Sequence, residues 1–92
     1  MFLVTYDIED DRKRSKISKI FEDYGSRVQY SVFQLAVERK VLFQILERVA
    51  AVIDNSKDSI IFVPFYEETV ISLGTPKNRI GSSNKDSVII GD

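Results

Sequence analysis

The chain has 92 residues, 43% of them hydrophobic and 29% charged, with 13 Lys and Arg against 14 Asp and Glu for a net charge of −1. Such a composition suits one globular domain over residues 1–92 and excludes a disordered or fibrous chain. With no cysteine there are no disulfides or thiolate nucleophiles, which fits a reducing cytoplasm, and with no histidine the usual general base and transition-metal ligand are gone. A balance this close to neutral exerts no global pull on nucleic acid, so any anion site must be a local patch.

Phe2 to Tyr6 alternates as a strand, with Phe2, Val4 and Tyr6 on one face and Leu3, Thr5 and Asp7 on the other. The acids Asp7, Glu9, Asp10 and Asp11 end it, leaving a run too short for a signal sequence or a bilayer span, so no membrane role is expected. From Asp11 to Tyr24 the apolar residues Ile17, Ile20, Phe21 and Tyr24 fall at helical spacing, with acids in front as caps and Gly25 behind as a stop. Arg12, Lys13, Arg14, Lys16 and Lys19 point outward from this helix.

Arg27 to Val37 reads as one strand with apolar residues on both faces, Val28, Tyr30, Val32 and Ala36 against Phe33, Leu35 and Val37. One layer of helices covers only one side of a sheet, so a partner chain is the natural cover for the other. Arg39 to Ile53 is a second amphipathic helix, striped by Leu42, Ile45, Leu46, Val49 and Ile53. Ser59 to Phe65 is a short buried strand with Pro64 near its end, Thr69 to Leu73 a further strand candidate, Gly74 to Ser87 a linker, and residues 88–92 a tail strand built on Val88, Ile89 and Ile90. The plan is α+β: a ferredoxin-like βαββαβ antiparallel sheet, with two helices on one face and a C-terminal tail strand after a core of residues 1–73.

Two clusters could carry chemistry. Among the carboxylates, Asp10 and Asp11 are explained by helix capping and Glu9 by solvation, whereas Asp7 shares the face of Leu3 and Thr5 and needs a compensating cation there. That cation is either Arg27 or another basic residue, or a hard metal ion. The cations Arg12 to Arg14, Lys16, Lys19 and Arg27 are a solvated helix surface or a phosphate-contacting one. Tyr6, Tyr30 and Phe33 can stack on bases, but aromatics at strand spacing more often pack, and packing is the expectation for Tyr30.

The segments Val4-Thr5-Tyr6-Asp7-Ile8, Asp10 to Arg14 and Tyr24-Gly25-Ser26-Arg27-Val28-Gln29-Tyr30-Ser31-Val32-Phe33 together resemble the Cas-two family, the small CRISPR-associated endonucleases of the spacer-acquisition module. The resemblance covers nearly the whole chain. It implies a ferredoxin-like homodimer in which Asp7 and its symmetry mate hold magnesium, with manganese as the alternative, and act as the catalytic carboxylates. It also implies that Arg14, Lys16 and Arg27 contact nucleic acid and that Tyr6, Ser31 and Phe33 lie near the site. Two functions follow from it. One is a metal-dependent endonuclease on RNA or double-stranded DNA in antiviral defence; the other is a non-catalytic dimeric scaffold bridging the CRISPR integrase and spacer-precursor DNA. Under the first, the lack of histidine leaves activation of water to the metal, and the two-fold pairing of Asp7 makes catalysis depend on the dimer.

Overall fold

The computed structural model describes residues 1–74 and the backbone of residues 88–90. Most of the expected linker and the last two tail residues lie outside the described residues. Four strands form the main sheet: β1 (Phe2–Asp7), β2 (Gly25–Gln29), β3 (Val32–Leu35) and β4 (Ser59–Pro64), in the order β2-β3-β1-β4 with every pairing antiparallel. The helices α1 (Asp11–Glu22) and α2 (Arg39–Ala50) pack on one face. This is the expected ferredoxin-like sheet with its two helices.

The expected single strand from Arg27 to Val37 is instead a hairpin. The chain turns at Tyr30 and Ser31, and a register shift between Arg27 and Gln29 adds a bulge. The turn undoes the two-faced reading. Val28, Phe33 and Leu35 all reach the core, while Tyr30, expected to pack, is 72% exposed at the turn. The hairpin supplies both of the adjacent central strands of the βαββαβ order, so Thr69 to Leu73, expected as a further strand, is not part of the main sheet. Residues Glu67–Thr69 form a 3-10 turn, and β5 (Ile71–Leu73) pairs in parallel with β6 (Val88–Ile90) in a separate two-stranded sheet.

Both helices begin where expected, at Asp11 and Arg39, and end early, at Glu22 and Ala50. Asp10 caps α1, its carboxylate accepting from the backbone N–H of Arg12 at 2.8 Å and of Lys13 at 3.1 Å. Those bonds lower the Asp10 pKa below its usual 3.8, the bond from Lys13 most. Gly25, expected as a helix stop, serves the sheet instead: a Cβ there would lie 1.9 Å from the carbonyl oxygen of Gln34, so only a residue without one lets β2 approach β3.

The core lies between helices and sheet. Val4, Tyr6, Phe33 and Leu35 from the strands meet Ile17, Ile20 and Phe21 of α1 and Ile45 and Val49 of α2. Tyr6, Phe21 and Phe33 form an aromatic triangle with centroids 5.6 to 6.3 Å apart. The other sheet face has no helix. There Leu3 and Thr5 lie beside Gln34 and Val32 on one side and Val63 and Ile61 on the other, with Asp7 opposite Ser59 at the end. Ile61 is 55% and Val63 44% exposed, a half-open apolar surface. No helix among the described residues is long and apolar enough to cross a membrane.

Candidate functional site

Strand alternation puts Asp7 on the helix-free face, at the last rung of β1, where its side chain is exposed. Among the described residues it has no ion pair or side-chain hydrogen bond. The expected Asp7–Arg27 pair does not form, and the sheet explains why. Arg27 stands opposite Phe33, so it leaves the sheet on the helix side, away from Asp7. There its guanidinium lies 4.7 Å from the Phe33 ring centroid, donates to the Ser18 hydroxyl and to the carbonyl of Tyr30, and approaches Glu22 at 3.8 Å.

Asp7 has the hard oxygens that magnesium prefers, and its exposure leaves room for the waters that ion retains, so the residue fits such a metal. Among the described residues no three acidic, histidine or cysteine side chains gather to hold an ion within one chain. A further protein ligand at Asp7 would therefore come from outside the described residues of one chain, such as a second copy.

The cations divide into two groups. Arg14 and Arg27 line a cleft of about 240 Å³ between α1 and the hairpin turn, together with Tyr6, Asp11, Ser15, Ser18 and Tyr30. Lys16 is elsewhere: one step around the helix, it borders a groove with Lys19, Glu22, Asp23 and Arg48 between α1 and α2. Arg14 is tied inward by Asp11 and the β1–α1 connection, whereas Arg12, Lys16 and Lys19 have no ion pair among the described residues. Lys13 approaches Asp58, whose side chain is only 4% exposed, at 3.6 Å and so links the first turn of α1 to the start of β4.

Of the residues expected near the site, Ser31 is adjacent to it: its carbonyl accepts from the backbone N–H of Tyr6 at 3.2 Å, one residue before Asp7. Tyr6 and Phe33 are buried at 7% and 0% exposure and can shape the site only from beneath. Sequence reasoning missed Tyr30, whose ring stands at the mouth of the cleft. An unsupported turn in a β-branched and aromatic run gave no signal for it.

Residues 1–71 match the family model described as CRISPR associated protein Cas2. The chain is 34% identical over 70 residues to the CRISPR-associated endoribonuclease Cas2 3 of Synechocystis, covering 76% of each chain. It is 33% identical to the CRISPR-associated endonuclease Cas2 2 of Thermus thermophilus, covering 70% of this chain and 71% of that one. The match to the endoribonuclease Cas2 4 of Rhodospirillum rubrum, 36% identical, takes in 68% of this chain but only 51% of the relative. Among solved structures, Streptococcus pyogenes Cas2 superposes with a TM-score of 0.67 at 34% identity, over 71% of this chain and 84% of that one.

Proposed function

Because this chain belongs to the CRISPR-associated Cas2 family, we propose that it is a metal-dependent endonuclease of the spacer-acquisition stage, working as a homodimer in which Asp7 of each copy faces the other. The observation that carries this reading is the position of Asp7: an exposed carboxylate without a partner, ending a strand on the helix-free apolar face. Packing that face against a second copy would cover Ile61 and Val63, and burying a pair of large apolar side chains stabilises a contact by several kcal/mol, on the order of 1.5–3 each. It would also bring two lone carboxylates toward one axis, and their repulsion is relieved by a divalent cation.

When bound, magnesium would activate water and neutralise charge on the phosphodiester. The chain's own part is to hold Asp7 at the rung opposite Ser59, to exclude bulk water from the face through Ile61 and Val63, and to attract the phosphate backbone of RNA or DNA through the exposed cations of α1. Arg14, Lys16 and Arg27 are the expected phosphate contacts, with Lys16 the most accessible of the three. The second reading, a scaffold between the CRISPR integrase and spacer-precursor duplex, is favoured by the exposed cations Arg12, Lys16 and Lys19 of α1, which need no metal to bind a backbone.

Asp7→Asn distinguishes the two. The variant keeps the shape of the side chain and loses its charge. Under the nuclease reading, folded dimeric Asp7→Asn has no magnesium-dependent cleavage of RNA or duplex DNA, while the wild type cleaves and stops with chelator. If the wild type does not cleave and Asp7→Asn still supports spacer insertion with the integrase, the scaffold is the function.

A further inference from the structure

The cleft between α1 and the hairpin contains a guanidinium that does not face outward. Arg14 Nη1 donates to the carbonyl of Ile8 at 2.8 Å and to that of Glu9 at 3.3 Å. Its Nη2 pairs with the Asp11 carboxylate. The Arg14 pKa is raised, by the hydrogen bond to Asp11 most and further by the Tyr30 hydroxyl across the cleft, so the group is charged at any working pH.

Ile8 and Glu9 form the connection between β1 and α1, outside both ladders. Among the described residues no backbone N–H reaches either carbonyl, and a carbonyl left without a partner beside a buried residue such as Ile8 is unfavourable. One nitrogen, Nη1, satisfies both, while Nη2 anchors the guanidinium to Asp11. Asp7 is therefore flanked on two sides: β4 fixes its rung in the sheet through Ser59, and Arg14 holds the Ile8 and Glu9 carbonyls one and two residues further on. A guanidinium has five N–H groups in a rigid plane, and here three already have acceptors within this chain. A lysine, with one nitrogen, has no fork that spans two carbonyls and a carboxylate.

We infer that Arg14 is a positioning residue for Asp7, holding the Ile8–Glu9 connection in place, and is not a phosphate contact. This inference rests on the reading of Asp7 as a metal ligand and narrows the basic surface expected from the sequence: Lys16 and the other unpaired cations meet the phosphates, and Arg14 sets the direction of the carboxylate. Groups that orient a metal ligand from behind typically change metal affinity or activity by about 10- to 100-fold when removed.

The test uses the full-length dimer and two probes. Manganese binding, read by electron paramagnetic resonance without nucleic acid, reports the carboxylate. Affinity for a labelled duplex DNA without metal, measured across salt concentration, reports phosphate contacts, each adding about 0.9 to the slope of log affinity against log salt. Arg14→Gln is expected to keep the wild-type salt slope and to bind manganese about 10-fold or more weakly. Arg14→Lys, which keeps the charge and loses the fork, is expected to show the same manganese defect, and it carries the test should Arg14→Gln not fold by circular dichroism. Lys16→Gln should do the reverse, lowering the slope by about 0.9 with manganese binding intact. A fall of that size in Arg14→Gln with unchanged manganese affinity overturns the inference, as does full manganese affinity in Arg14→Lys. Asp7→Asn separates the parent reading. If it binds manganese like the wild type, Asp7 is not the ligand; if it loses manganese while Arg14→Gln does not, the inference alone fails.

Discussion

The two faces of the sheet are finished to different degrees. On the helix side the groups at the sheet are tied together: the aromatic triangle is closed, Arg27 is stacked and hydrogen-bonded, Arg14 joins two carbonyls to the Asp11 carboxylate, and Lys13 reaches Asp58. On the other side Ile61 and Val63 remain half open and Asp7 has no ion pair or side-chain hydrogen bond among the described residues. Charge alone therefore does not mark function in this chain. The best-connected cations sit where the chain stabilises itself, and Asp7 sits on the open face, where the proposed metal and second copy would meet it.

The comparison predicts how substitutions on each side should fail. Phe33→Ala, on the finished side, removes a fully buried ring and should destabilise the fold by about 3–5 kcal/mol, seen as a lower denaturant midpoint. If it lowers nucleic-acid binding and leaves stability alone, Phe33 belongs to the site and not to the core. Ile61→Asp, on the open side, should leave the monomer folded and raise the dimer dissociation constant about 100-fold or more, since a two-fold contact loses the side chain twice. Light scattering at tens of micromolar would then give the mass of one chain; a dimer that persists would move the interface off this face.

A smaller effect concerns the cap of α1. Because the folded-state pKa of Asp10 is depressed, its charge stabilises the fold above the unfolded-state value near 3.8, and that contribution is lost as pH falls through the lower, folded value. Asp10→Ala should thus unfold more readily than the wild type at neutral pH, and the gap should close below pH 3.8. A gap that stays constant down to pH 2 would mean the cap acts without its charge. Smallest of all should be Arg48→Gln. Its pairing with Asp23 at 3.2 Å joins two exposed groups, so its thermal midpoint at physiological salt should match the wild type within error, and a clear drop would show that α2 depends on that surface tie.

Much of the fold was legible because it rests on periodicity. The stripe of Ile17, Ile20 and Phe21, the cap at Asp10, Pro64 at the last rung of β4 and the face occupied by Asp7 all follow from local rules. The hairpin was not legible. Tyr30-Ser31 has none of the glycine, asparagine or aspartate that ordinarily announce a two-residue turn, and the bulge at Arg27 and Gln29 breaks the alternation that would have betrayed it. Misreading that turn misplaced Tyr30. The engagement of Arg14 was hidden for a different reason: its acceptors are main-chain carbonyls, which every residue carries and no pattern of side chains reveals.

The strand order has a consequence for biogenesis. β1 is made first yet lies in the middle, flanked by β3 and β4, so neither of its edges has a neighbour until much later residues emerge. Its second edge stays open until Pro64 has been synthesised, and no smaller fragment can close the sheet. A nascent chain that ends within α2 can pair β1 with β3 on one edge only, leaving the other edge open to any extended chain nearby. The length of α2 thus sets how much chain must be made before the strand that ends in Asp7 gains its second neighbour.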